Sequence, residues 1–159
     1  MKYYILNEAI DLQSSTVGDK NLKQLDIYDK LKNVKRAYIY GNGGMENIVK
    51  ASLKSYLFDV GILAETYAGV QEIVAFDRDL LRDSLVVVVD FSKDDRIREI
   101  MFQLDGIDCV KILVGSDNNS IARSDYSIFF PENKTKLRLI SPYIIELEEF
   151  FRGYLETLQ

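Results

Sequence analysis

Short runs of β-branched and aromatic residues recur along this sequence at nearly equal spacing, and this recurrence limits the possible folds more than any other feature. The runs begin near residues 38, 62, 85 and 110, which places them about 24 residues apart. Such a spacing leaves room for a helix between consecutive strands, whereas strands joined by hairpins lie closer together. The sequence therefore predicts a succession of β-α-β units.

The clearest predicted strand, residues 85–89, contains four consecutive valines. A continuous apolar run of this kind is typical of a central parallel strand that is covered on both faces. The other predicted strands are residues 38–40, 62–66, 110–114 and 126–130. Right-handed crossovers between parallel strands place helices on both faces of the sheet. We therefore expect an α/β fold, a three-layer α-β-α sandwich with a five-stranded parallel sheet of the flavodoxin-like or Rossmann-like kind.

Helical periodicity fills the intervals between these strands. Residues 49–60 carry an apolar stripe at helical spacing, and Gly61 suits the position after the last turn. Residues 97–104 carry a second stripe, for which Asp94 or Asp95 can serve as the N-cap. A looser helical pattern covers residues 70–81. A short helix from Asp19 precedes the first strand, so we divide the chain into an irregular leader, residues 1–18, and one domain, residues 19–159.

The predicted C-terminal helix carries more apolar surface than one contact with a sheet requires. Ser141 is predicted as its N-cap, with Pro142 at the first helical position. Its apolar stripe consists of Ile144, Leu147, Phe151, Tyr154, Leu155 and Leu158, with Ile145 and Phe150 outside the stripe. The surplus favours a homo-oligomer, most simply a homodimer, that assembles through this helix. Tight packing within the chain is the alternative.

Composition excludes several functions. The chain of 159 residues has a net charge of −5 and no basic run longer than Lys35-Arg36, so we expect no direct contact with nucleic acid. It contains no histidine, which removes catalytic triads and every imidazole base. The single cysteine, Cys109, begins a predicted buried strand, where a thiol behaves as a small apolar group. No signal peptide or apolar run of membrane-spanning length is present, and we expect a cytoplasmic protein without membrane contact.

The first candidate site follows the first strand. Ligands bind open parallel sheets beyond the carboxyl ends of the strands. The glycine-rich turn there can direct backbone N–H groups at an anion, with help from the helix dipole. The residues of this turn are Gly41, Asn42, Gly43, Gly44, Met45 and Glu46. A dinucleotide fingerprint requires glycine at position 46, where Glu46 would repel a pyrophosphate, and no P-loop is present, so no cofactor is expected.

Three segments together resemble a known family. They are Ala-Tyr-Ile-Tyr-Gly-Asn-Gly at 37–43, Asp-Ser-Leu-Val-Val-Val-Val at 83–89 and Asn-Ser-Ile-Ala-Arg-Ser-Asp-Tyr at 119–126. The last is similar to a usual Ser-x-Leu-Ala-x-x-Ala-Asp pattern. From about residue 20 to 159, the sequence resembles the SIS (sugar isomerase) domain family, most closely the phosphosugar-sensor domain of RpiR-type transcriptional regulators. The resemblance implies a sugar or sugar-phosphate ligand.

The resemblance also identifies a phosphate loop, and this sequence departs from it. The family's Ser-x-Ser-Gly-x-Thr loop wraps the phosphate at the N-terminus of the next helix. Its four signature positions fall here on Asp90, Ser92, Lys93 and Asp95, of which only Ser92 is retained. Asp94 adds a third carboxylate, and the serine expected in the first turn is Met45. Unit charges ~4 Å apart interact at about 4 kcal/mol for an effective dielectric near 20, so these carboxylates disfavour a dianion.

Three interpretations of the second loop stay open. Asp94 and Asp95 can act only as helix-capping acids, with Asp90 solvated at the end of its strand. The carboxylates can instead accept hydrogen bonds from sugar hydroxyls or face an amine. Asp90 with Asp94 or Asp95 can also hold a divalent cation, although we assign no metal site. Ser116 and Asn118, after the fourth strand, either form a polar turn or close over the ligand.

Together these observations favour a non-catalytic, carbohydrate-derivative-binding sensor domain of an RpiR-like transcription regulator, with altered or lost phosphate binding. An aldose–ketose isomerase is the first alternative, because family members with that activity use Glu or His beside an intact phosphate loop, and Glu72 is a conceivable base. A ligand-free structural dimerisation module is the second.

Overall fold

A five-stranded parallel sheet forms the centre of the fold. The computed structural model describes residues 17–68, 78–92, 95–115, 123–129 and 140–159. The strands are β1 (Arg36–Tyr40), β2 (Leu63–Tyr67), β3 (Leu85–Asp90), β4 (Val110–Gly115) and β5 (Tyr126–Phe129). They lie in the order β2-β1-β3-β4-β5, and every neighbouring pair is parallel. The predicted α/β class and five-stranded parallel sheet are confirmed.

Helices cover both faces of this sheet. They are α1 (Val17–Leu31), α2 (Gly44–Asp59), α3 (Arg78–Leu81), α4 (Asp95–Gln103) and α5 (Ser141–Thr157). Helix α1 begins two residues before the expected start at Asp19. Of the looser helical pattern predicted for residues 70–81, only the part from Arg78 lies within the described residues. No helix in the described ranges is long and apolar enough to cross a membrane.

Alternate residues of β3 belong to two separate clusters of the core. Leu85, Val87 and Val89 pack with side chains of α1, α2 and α5. Val86 and Val88 face the opposite layer, which contains residues of α3 and α4. All six residues of the strand are buried, as expected for a valine-rich central strand covered on both sides.

The strand order reverses between β1 and β3. Starting from β1, the chain adds β2 on one side and then crosses over to add β3 on the other. Tyr40 is in register with Val88, so the loops that follow β1 and β3 leave the same edge of the sheet side by side. This is the topological switch point at which α/β sheets bind ligands.

Helix α5 differs from its sequence-based prediction in two respects. Ile140, not Ser141, occupies the N-cap position, and no side chain caps the helix; proline in the first turn is tolerated because the N–H groups there lack intrahelical partners. Phe150 lies inside the core at 2% exposure, although the periodicity placed it outside the apolar stripe. Helix α1 provides the additional packing surface: the Tyr28 ring centroid lies 5.1 Å from that of Phe150, and the Tyr28 hydroxyl donates to the Phe150 carbonyl at 2.7 Å.

Cys109 lies just before β4 and is half-buried. Burial raises the pKa of its thiol, and the neighbouring Lys111 ammonium only partly opposes this effect. A thiol with a raised pKa is a poor nucleophile near neutral pH.

Candidate functional site

The loops after β1 and β3 are in close contact at the switch point. Gly41 follows β1, and a Cβ atom at this position would lie 2.8 Å from the carbonyl oxygen of Val89. Gly43, at the N-cap of α2, has φ 142°, a backbone conformation that favours glycine. Glycines at these two positions therefore allow the turn to form and to approach β3 closely.

The side chain of Glu46 joins the two loops. This residue is in the first turn of α2 and is only 4% exposed. Its Oε1 atom accepts a hydrogen bond from the backbone N–H of Phe91 at 3.1 Å. Its Oε2 atom lies where a Cβ at residue 43 would be. A carboxylate of the protein itself thus fills the space beside the glycine turn and engages a backbone donor of the second loop.

Asp90 ends β3 and turns back on its own loop. Its Oδ1 atom accepts hydrogen bonds from both the N–H and the hydroxyl of Ser92, each at 3.2 Å. The residue is 4% exposed, so the interpretation that Asp90 is solvated at the strand end is wrong. Asp90 is in register with Gly115 of β4, so this residue lies within the sheet and not beyond its edge. The retained Ser92 hydroxyl is therefore engaged by a neighbouring carboxylate.

Lys50 is a third charged residue buried at this edge, and it was not among the predicted site residues. Its ammonium donates to the carbonyl oxygens of Gly41 at 2.6 Å and Tyr67 at 3.0 Å. It thereby ties the end of β1 to the end of β2. Its position one turn after Glu46, next to the buried Val49, was the available signal, because residues four apart share a helix face.

At the end of β2, next to the Lys50 contact, the Tyr67 side chain is engaged by neighbouring strand residues. Its ring centroid lies 6.4 Å from that of Tyr38 on β1, and its hydroxyl donates to Glu65 Oε2 on β2 at 2.5 Å.

The remaining predicted site residues are described only in part. In the first turn, Asn42 and Gly44 are exposed, and Met45 is half-buried against the core. Asp95 begins α4, but its side chain lies outside the description, as do Lys93, Asp94, Ser116 and Asn118 and the candidate base Glu72. Among the described residues, no group of three or more cysteines and carboxylates could hold a metal ion. The cation interpretation needs Asp94 or Asp95, so it remains open.

Comparisons with known proteins rest on structure. No family model matches this sequence. No curated protein matches it either. The sugar isomerase domain of an RpiR transcription factor from Sphaerobacter thermophilus superposes with a TM-score of 0.63 at 9% identity, covering 99% of this chain and 97% of that one. The chain has the SIS fold.

Two further neighbours have the SIS fold: one has an inferred isomerase function, and the other is complexed with ManNAc-6P. A hypothetical protein from Methanococcus jannaschii, whose structure infers the function of a 3-hexulose-6-phosphate isomerase, has a TM-score of 0.69 at 14% identity, covering 92% of this chain and 83% of that one. The Vibrio vulnificus NanR protein complexed with ManNAc-6P has a TM-score of 0.69 at 11% identity, covering 94% of this chain and 62% of that one. Identities this low establish the shared fold alone.

Proposed function

We propose that this chain is a non-catalytic domain that binds a carbohydrate derivative, in the manner of the sensor domain of RpiR-like transcription regulators, with altered phosphate binding. The observation that carries the proposal is the contact of Asp90 with both donors of Ser92. The fold supports a sugar-related ligand, because structural neighbours include an RpiR sugar isomerase domain and a protein complexed with ManNAc-6P.

Phosphate binding is altered because the loop already satisfies its donors internally. The Ser92 N–H and hydroxyl are bound to Asp90, and the Phe91 N–H is bound to Glu46. A phosphate in this loop would have to replace these contacts and then lie beside two buried carboxylates. Hydrogen bonds to charged groups contribute about 1.5–3 kcal/mol each, so the exchange is unfavourable unless a further cation takes part.

The same contacts argue against isomerisation. Moving a proton between neighbouring sugar carbons requires a general base within reach of the substrate. The chain has no histidine, Oδ1 of the Asp90 carboxylate is already bound to Ser92, and Oε1 of the Glu46 carboxylate is bound to the Phe91 N–H. Isomerase activity remains the alternative, which Glu72 would serve.

We expect no turnover when the protein is incubated with hexose 6-phosphates and pentose 5-phosphates in D₂O. An isomerase incorporates deuterium at the carbon next to the carbonyl, and NMR detects this exchange directly. Deuterium incorporation that scales with protein concentration and disappears in Glu72→Gln would replace the proposed function with the isomerase alternative.

We expect the replacement Asp90→Ser to raise the affinity for glucose 6-phosphate about tenfold, which corresponds to ~1.4 kcal/mol. The change removes one buried carboxylate and releases the Ser92 donors, so a phosphate meets less repulsion. Thermal shift and calorimetry, with and without Mg²⁺, measure the effect. Asp59→Ser is the matched control, because Asp59 is exposed at the end of α2. Equal affinities for the two variants would contradict the assignment of this loop.

The proposal includes a homodimer that assembles through α5 and functions in the cytoplasm. Phe151 is buried in the core, so the surface available for such an interface lies at Ile145, Leu155 and Leu158, which are exposed large apolar residues. The double replacement Leu155→Asp and Leu158→Asp is expected to convert a dimer to a monomer in sedimentation experiments. Phe58→Asp on α2, also exposed, should leave the mass unchanged. A dimer that persists in the double variant would exclude this end of α5 as the interface.

A further inference from the structure

Glu46 has a buried carboxylate oxygen that lacks a donor. Its Oε1 atom accepts from the Phe91 N–H, but within the described part of the chain no donor reaches Oε2. Because the residue is only 4% exposed, bulk water does not satisfy this oxygen. Nearly all buried polar groups in proteins have a hydrogen-bond partner, so an exception requires an explanation. Its location at the switch point, beside Gly43, points to a bound ligand as the missing donor.

Within the described contacts, the charge of the buried Glu46 carboxylate is opposed by one neutral N–H and by the first turn of α2, in which the residue lies. These offset only part of the cost of burying a carboxylate. Lys50, one turn later on α2, directs its ammonium to the carbonyl oxygens of Gly41 and Tyr67. The site therefore favours a ligand group that is positively charged as well as a donor.

We propose that Glu46 is a specificity-determining residue that accepts a charge-assisted hydrogen bond from a protonated amine, so that the site prefers an amino sugar to a neutral or phosphorylated sugar. The inference rests on the proposed function, because it names the ligand class of the same site. A hydroxyl would satisfy the hydrogen bond of Oε2 without balancing its charge, whereas an ammonium does both and forms a hydrogen bond roughly twice as strong. A phosphate offers only acceptor oxygens to this carboxylate.

Calorimetry on the full chain tests the preference with three probes: glucosamine, glucose and glucose 6-phosphate. We expect the wild-type protein to bind glucosamine at least tenfold more tightly than glucose, and glucose 6-phosphate more weakly than either. Glu46→Gln keeps an acceptor for the Phe91 N–H but removes the charge, so it should reduce the glucosamine affinity to the level of glucose. Glu156→Gln, an identical change at an exposed position of α5, should leave all three affinities unchanged.

A second readout uses the wild-type protein alone and therefore does not depend on the folding of a variant. Glucosamine should shift the NMR resonance of the Phe91 amide, because that amide is bonded to the same carboxylate. Equal binding of glucose and glucosamine, tighter binding of glucose 6-phosphate, or an unchanged preference in a folded Glu46→Gln variant would overturn the inference while leaving carbohydrate binding intact. No binding of any of the three sugars would overturn both the inference and the proposed function.

Discussion

Replacing Phe150 by alanine is expected to lower the free energy of unfolding by about 3–5 kcal/mol, the range typical for truncating a buried aromatic residue. The Phe150 side chain is 2% exposed. Its ring centroid lies 4.8 Å from that of Tyr126, 5.1 Å from that of Tyr28 and 5.2 Å from that of Phe151. Alanine would leave a cavity between a strand and two helices, none of which can close it without breaking its own contacts. Urea denaturation followed by circular dichroism measures the loss.

Phe102→Ala provides the matched control for this replacement. Phe102 is on α4 and is 63% exposed, and its ring contacts the Arg123 guanidinium at 4.9 Å from the centroid. Truncating an exposed aromatic residue with one cation–π contact should cost about 1 kcal/mol or less. If the two alanine variants lost equal stability, the aromatic cluster around Phe150 would not be part of the core.

Gly115→Ala is expected to lower the free energy of unfolding by about 3 kcal/mol, at the upper end of the usual cost of overpacking. Gly115 is buried at the end of β4 and pairs with Asp90 of β3. A methyl group at this position would overlap the Asp90 carbonyl oxygen and meet the backbone on both sides of it. Since backbone atoms of a central strand cannot move aside cheaply, the ends of β3 and β4 must separate.

The same replacement should also disturb the candidate site, because the carboxylate that binds Ser92 belongs to Asp90. We expect Gly115→Ala to bind glucosamine more weakly than the wild-type protein does. We also expect it to unfold at a lower urea concentration. Gly44→Ala serves as the control for stability alone, because Gly44 belongs to the candidate turn: a Cβ there meets no atom within 4 Å, and alanine favours the first turn of α2. Comparable midpoints for the two glycine variants would show that the β3–β4 edge tolerates a side chain.

Local sequence patterns were sufficient to predict the strands and most helices. The valine run of β3 and the spacing of Val49, Leu53 and Leu57 on α2 report burial directly, because each apolar side chain must find a covered face. The position of Phe150 was not predictable in this way. Its burial depends on α1, which lies far away along the chain, and helical spacing alone does not show that a helix has two covered sides.

The candidate site was predicted in part. The sequence correctly predicted that the turn at Gly41 and Gly43 lies next to the loop at Asp90, because the carboxyl ends of parallel strands meet at the same edge of the sheet. The direction of the Glu46 side chain could not be predicted from the sequence. A glutamate in the first turn of a helix usually faces solvent or the helix dipole, and only the close approach of β3 directs this one to the Phe91 amide.

The hydrogen bond from Tyr28 to the Phe150 carbonyl has a kinetic consequence. It joins residues separated by 122 positions, and the ion pair of Lys30 with Asp125 joins residues separated by 95. Contacts of such separation slow folding, because the loop between them must close before they contribute. During synthesis on a ribosome, Tyr28 emerges long before Phe150 and Tyr154, the aromatic residues that pack against it. The nascent chain therefore exposes an apolar helix face until α5 has been translated, and over that interval a chaperone has a binding surface that the folded protein lacks.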